Sequence, residues 1–327
     1  MATRGTLATA TVSSAVVDVD RGIGVTPGRG RGMVAGMDDH GHHRSPSDVR
    51  PAYLADARRF AERRRPVDLR RQCHADATVR PSPLDQRTAV AYDAVALDAA
   101  TGYEAVLLSP VTPLGTCSVV SPTSQDRAVS TTRGTEVVSD PTNVLAIEAA
   151  SRLAADPDAR VRLTTVHQTL RPGQVGLPAG FSTHFRLFCL ADAGRREPDD
   201  GFEVRAVVEQ VAAPLRVVRA AADRFGLLPG APSATVLADD DGRPALGDRV
   251  AARLAETGLP VTREPLSSPY YSGLRVTLTV PDPSGEPLQL ADVCAHDWVA
   301  QIAGDRRQRF VASALGLQLL ALRYGPG

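Results

Sequence analysis

A few side chains have both the type and the spacing to do chemistry. Asp140 and Thr142 flank Pro141, which places a carboxylate and a hydroxyl two positions apart. Such a pair offers an anion and a hydroxyl at close range. The same residues can instead start a helix, with Asp140 capping free N–H groups and Pro141 at the first helical position. Arg171 ends the run Thr165-Val166-His167-Gln168-Thr169-Leu170, and its guanidinium fork suits an anion such as a phosphate. Tyr270-Tyr271-Ser272-Gly273 sets two aromatic rings ahead of a hydroxyl and a glycine. His167 and His184 are further candidates, against ordinary partly buried histidines. His296-Asp297-Trp298 suggests a dyad, but neighbours on a strand point to opposite faces, which favours a structural role. A zinc reading would use His40, His42, His43, Cys73 and His74. That cluster lies in a Gly/Pro-rich segment without a spaced carboxylate, so no metal site is expected.

Composition removes several function classes. All 37 basic residues are arginine and none is lysine. A P-loop and Schiff-base chemistry both require a lysine, so neither is available to this chain. The 37 acidic residues bring the formal charge to zero, so no global field draws the protein to nucleic acid or anionic lipid. Cys73, Cys117, Cys189 and Cys294 are scattered, which predicts reduced thiols and a cytoplasmic setting rather than a disulfide framework. No apolar run approaches the roughly 18 residues of a membrane span, and no signal-peptide core is visible.

Local patterns supply the elements that must position these groups. Residues 1–80 read as a mostly disordered extension, with Gly28-Arg29-Gly30-Arg31-Gly32 and Arg63-Arg64-Arg65 as its extremes and room for one amphipathic helix around Arg58 to Arg71. From 81 to 327 the chain reads as one core domain. A helix from Asp85 to about Ala100 ends at Thr101-Gly102, and Tyr103 to Leu108 reads as a strand. Short strands are expected at Thr135–Val138, Val161–Thr165 and Phe185–Leu190, and a helix from Thr142 to Ala154. A long helix over Phe202–Phe225 should bend at Pro214. Residues 234–237 read as a strand and 248–257 as a helix. Leu274–Val280 and Pro287–Ala291 form strands around the turn Asp282-Pro283-Ser284-Gly285, and a helix from about Phe310 to Leu322 closes the chain. Strands and helices without a repeating β-α rhythm indicate an α+β fold with a mainly antiparallel central sheet flanked by helices.

Taken in order, these segments resemble the catalytic core of class II aminoacyl-tRNA synthetases of the histidyl type, including the regulatory subunit of ATP phosphoribosyltransferase. Gly102-Tyr103-Glu104-Ala105-Val106-Leu107-Leu108-Ser109-Pro110 resembles motif 1, which builds a dimer interface in that family. Val138-Ser139-Asp140-Pro141-Thr142 is similar to the family segment whose acid and threonine hold the substrate amino group. Thr165 to Pro172 with Gly180 to Phe188 has the strand-loop-strand order of motif 2, where Arg171 matches the arginine that grips the ATP α-phosphate. Tyr270-Tyr271-Ser272-Gly273 resembles the segment flooring the amino-acid pocket, and Asp297 matches the last acid of a further motif. Ala314 to Leu320 is similar to motif 3.

The resemblance implies Arg171 as the catalytic position and Asp140, Thr142, His184, Tyr270, Tyr271, Gly273 and Asp297 as ligand-binding positions. It also implies a homodimer, an amino-acid-like small molecule as ligand, and a partner enzyme if the regulatory form is the right comparison. ATP with Mg is the only cofactor it allows, and the departures from the pattern put that in doubt. Phe181 and Thr183 stand where motif 2 has two further arginines, and Leu187 replaces its glutamine. Arg263 comes too early for the catalytic arginine before the tyrosine pair, and Leu319 replaces the motif 3 arginine. The loss of that last contact alone removes about 1.5–3 kcal/mol of charge-assisted binding. No anticodon-binding domain is expected after motif 3. The expectation is therefore a paralogue that binds an amino-acid-like ligand and does not charge tRNA. The alternative is a divergent adenylating enzyme that recruits Arg186, Arg263 or Arg275 to neutralise ATP.

Overall fold

The structure is a computed structural model that describes residues 45–173, 177, 180–239, 243–268 and 270–325. The expectations for residues 1–44, including the histidine cluster at 40–43, lie outside the described residues. From 45 to 80 the chain is more ordered than its composition suggests. It forms α1 (Pro46–Glu62) and α2 (Pro66–Ala75). Local chemistry explains both. Ser45 and Asp48 form a reciprocal capping box at the start of α1, and the Arg65 side chain pairs with Asp68 at the start of α2. Their apolar residues contribute little, since Tyr53, Phe60 and Leu69 stay exposed.

α3 (Gln86–Ala99) is capped by Asp85, which accepts from Arg87 N and Thr88 N. β1 is only Glu104–Ala105, shorter than expected, although Val106 N still reaches Thr164 O. β2 (Val111–Pro113) and β3 (Thr135–Val137) form a small separate ribbon. α4 (Pro141–Ala155), β4 (Val161–Leu170), β5 (His184–Arg195) and α5 (Gly201–Phe225) follow. Then come β6 (Ser233–Ala238), α6 (Pro244–Ala255), β7 (Val261–Pro265), β8 (Leu274–Pro281) and β9 (Pro287–His296). The chain closes with α7 (Trp298–Ala303), β10 (Gln308–Gly316) and α8 (Leu317–Arg323).

Eight strands form one sheet in the order β1-β4-β5-β10-β9-β8-β6-β7. The pairs at its two edges, β1–β4 and β6–β7, are parallel and the rest are antiparallel. The α+β class and the mainly antiparallel sheet expected from the sequence are present. α5 runs as one unbroken helix through Pro214.

The closing helix expected over Phe310–Leu322 is a correction. Residues 308–316 are the central strand β10, and only 317–323 are helical. β10 is hydrogen-bonded to β5 on one side and β9 on the other, with nearly every residue buried. A strand covered on both faces loses its polar alternation, so its apolar run cannot be told from a buried helix by periodicity.

The sheet separates two apolar clusters. On one face Phe188, Leu190, Val276, Leu278, Val293 and Val311 pack under α3, α5, α6 and α8. On the other, Leu187, Cys189, Ala191, Phe310 and Ala312 pack with Leu145 and Ala149 of α4 and Trp298 and Val299 at the start of α7. α4 and the six-residue α7 cover only part of that second face, and the uncovered part holds the cavity.

Candidate functional site

The N-terminus of α4 forms one wall. Val138 N bonds to Pro110 O and Leu170 N to Val138 O, which fixes the strand entering the helix. Asp140 is the N-cap: its Oδ1 accepts from Thr142 N at 3.0 Å and from Thr142 Oγ1 at 2.7 Å. Arg171 reaches across from the end of β4. Its Nε donates to the Ser139 carbonyl at 2.8 Å, and its Nη2 lies 3.5 Å from Asp140 Oδ2. The Arg171 guanidinium also lies 5.3 Å from the Phe185 ring centre. Asp140, Thr142 and Arg171 are thus brought together as the sequence suggests, with the arginine already engaged by its neighbours.

The tyrosine pair supplies the floor. Tyr270 meets Tyr271 edge-on at 4.9 Å, with His296 at 5.6 Å and Trp298 at 5.9 Å, and His296 stacks on Trp298 at 3.6 Å. Burial, followed by the charge of Asp140, holds the Tyr270 phenol above its ordinary range. Burial likewise raises Tyr271. Both rings are neutral at physiological pH.

Asp140, Thr142, Arg171, Tyr270 and Tyr271 therefore share one cavity. Three expected site residues do not line it. His184 turns away: its Nδ1 meets Gln168 Nε2 at 3.0 Å and its Nε2 meets Arg80 O at 2.7 Å, so it pins the segment after α2. Gly273 sits in the turn after the tyrosines at φ +80°, where its N–H bonds to Tyr271 O. Asp297 accepts from Gln301 Nε2 and borders a separate cleft with Glu203, Arg243 and Arg309. His167 is buried on β4 without lining the cavity, and burial, with the charge of Arg186, lowers its pKa.

Other lining residues were not expected as ligand-binding positions. Asn143 follows Thr142 in the first turn of α4, and Asp292, Cys294 and His296 come from β9. Cys117, Ser121 and Arg127 come from the loop between β2 and β3. That loop is organised by the buried Glu136 carboxylate, which accepts from Gly115 N at 2.9 Å, Cys117 N at 2.8 Å and Gln125 Nε2 at 2.6 Å. Burial, then the Glu136 charge, pushes the Cys117 thiol up to about 11. Burial also raises Cys294, so neither cavity cysteine is a thiolate nucleophile at neutral pH.

Three arginines that could have met a nucleotide are paired. Arg186 holds Asp93 through both carboxylate oxygens, with Nε to Oδ1 at 2.7 Å. Arg275 faces Asp292 at 3.3 and 3.2 Å and lies over the Tyr271 ring at 5.0 Å. Arg263 lies 3.3 Å from Asp248. Leu319 is on the cavity wall. Among the described residues no group of three or more His, Cys, Asp or Glu side chains is arranged to hold a metal ion. No described helix is long and apolar enough to cross a membrane.

No protein-family model and no curated protein matches the chain. Solved structures do. Histidyl-tRNA synthetase from S. aureus is similar with a TM-score of 0.57 and 15% identity, over 76% of this chain and 68% of that one. An ATP phosphoribosyltransferase regulatory subunit/histidyl-tRNA synthetase from Bacillus halodurans C gives 0.54 and 14%, over 76% and 82%. A histidine–tRNA ligase subunit from Alicyclobacillus acidocaldarius gives 0.55 and 14%, over 74% and 94%. At such low identity the likeness concerns the fold, and it agrees with the mainly antiparallel sheet described above. The chain has the fold of a class II synthetase-like core.

Proposed function

We propose that this chain is a ligand-binding paralogue of the synthetase core: it takes a small amino-acid-like molecule into the cavity and does not activate it for tRNA. The observation that carries this reading is the state of the arginines. Activation needs several uncommitted cations around a triphosphate, more than a single arginine supplies. Here Arg186 and Arg275 are matched by carboxylates, Arg171 is held by Ser139 and Asp140, and a leucine occupies the motif 3 position. These residues fit ATP and Mg poorly. The aromatic floor and the polar rim at the start of α4 are retained, and a pocket of that kind suits a small molecule with a few polar groups.

The same reading favours a regulatory role, in which ligand occupancy is passed to a partner enzyme through a homodimer built on the segment from Gly102 to Pro110. It is tested with the purified protein, a panel of amino acids and ATP. Melting temperature should rise with one amino acid or a related group, while amino-acid-dependent pyrophosphate exchange stays at background. Exchange that depends on an amino acid would instead establish the adenylating enzyme.

A further inference from the structure

The charges that meet in the cavity do not balance. Arg186 is matched by Asp93 and Arg275 by Asp292. Asp140 is the remaining acid, and Arg171 already leans on it. That leaves Arg127, which lines the cavity and whose guanidinium makes no hydrogen bond or ion pair among the described residues. Burial, then the like charge of Arg171, holds Arg127 below the ordinary arginine range even with Asp140 opposing them. Arg127 is thus a cavity cation without an ion-pair partner among the described residues. The N-terminus of the 15-residue α4 adds a further partial positive charge.

A second observation is independent of charge. Asn143 is 2% exposed, lines the same cavity, and its Nδ2 has no hydrogen-bond partner among the described residues. A buried donor without an acceptor is costly, and a partly buried cation without an anion is costlier. One ligand group that accepts from both would relieve the two defects together.

We propose that Arg127 is an anion anchor, and that the ligand of this cavity presents a single negative charge, a carboxylate, to the Arg127 guanidinium and the Asn143 side-chain amide. A carboxylate has two acceptor oxygens for those two donors. The inference deepens the amino-acid-like reading and rests on it for the cavity being occupied by a small molecule. It assigns the carboxylate to a loop residue outside the motifs rather than to Arg171.

The full chain is titrated by calorimetry with common L-amino acids, with their carboxamides, with short monocarboxylates that lack an amino group, and with inorganic phosphate. Wild type is compared with Arg127→Gln and Arg127→Lys. The acid should bind at least about tenfold more tightly than its carboxamide, the loss expected for one charge-assisted contact. Arg127→Gln should lose that preference without a lower melting temperature in the absence of ligand, and Arg127→Lys should keep part of it. An amino acid that binds while its carboxamide binds equally well, or that binds Arg127→Gln as it binds wild type, overturns the anchor and leaves the proposed function standing. Monocarboxylates that bind through Arg127 where amino acids do not would sustain the anchor and remove the amino-acid reading. Phosphate binding more tightly than any carboxylate overturns the charge assignment, and binding by no probe removes both proposals. If Arg127→Gln fails to fold, the preference of the wild-type protein for acid over carboxamide decides the matter.

Discussion

Along β9, Ala291, Val293 and Ala295 enter the apolar cluster under α5, while Asp292, Cys294 and His296, one position out of phase, line the cavity. The neighbouring strands repeat the contrast. Phe188 and Leu190 of β5 and Val311 and Leu315 of β10 face the closed side, whereas Leu187, Ala312 and Ala314 face the cavity. Large side chains on one face fill the space beneath four helices. Small and polar ones on the other leave space that α4 and α7 do not fill. The faces also treat buried charge differently. On the closed side Asp192 accepts from Tyr103 Oη at 2.6 Å, Gln210 Nε2 at 2.8 Å and Arg162 Nε at 3.1 Å. On the cavity side Asn143 Nδ2 and His296 Nδ1 have no partner among the described residues. On the closed side that buried acid is satisfied by three donors of the chain, whereas on the cavity side these two polar atoms are left without one.

Substitutions that exploit this contrast should separate stability from binding. The largest effect is expected at Asp192. Asp192→Ala strands the Tyr103, Arg162 and Gln210 donors and should lower unfolding free energy by about 3–5 kcal/mol in a denaturant titration. Leu290, fully buried on the closed face, comes next, and Leu290→Ala should cost about 2–5 kcal/mol by cavity formation. Glu136→Ala should cost about 1–3 kcal/mol, because Gly115 N, Cys117 N and Gln125 lose one shared acceptor. Unlike the first two, it should also weaken ligand binding, since the same loop carries Arg127.

A pH series sharpens the comparison. Burial lowers His296 to about 3, so between that value and about 6.5 the unfolded chain binds a proton that the folded protein refuses. Stability should therefore fall as pH falls through this window, by up to about 1.4 kcal/mol per pH unit for that one proton. His167, also lowered by burial, acts in the same direction. His296→Gln should flatten the profile, and an unchanged profile would contradict the assignment. The smallest effect belongs to the cavity rim. Asn143→Ala removes a donor with no partner and should change the melting free energy of the ligand-free protein by less than about 1 kcal/mol.

Much of the fold was legible because local rules and tertiary structure agree. Asp85 and Asp140 cap the helices they precede, and Gly226 ends α5 in the left-handed conformation. β10 was not legible, because a central strand buried on both faces carries no alternating signal. The site divides the same way. Asp140, Thr142 and the tyrosine pair stand in short motifs, so their types and spacing were visible before their positions. Arg127 stands in a Ser/Thr-rich loop without periodicity, folded by a glutamate that follows it in the chain. Nothing in the local sequence indicates that this arginine lines the cavity with Asp140. His184 is the opposite case: its motif position pointed to the site, but strand pairing directs it to the Arg80 carbonyl.

Hydrogen–deuterium exchange, measured with and without the amino acid that raises the melting temperature, tests the central claim most directly. The account predicts that added protection concentrates in 115–127, at the start of α4 and along 270–296, with α5 and α6 unchanged. Protection centred on α5 and α6 instead would place the ligand on the closed face and contradict it.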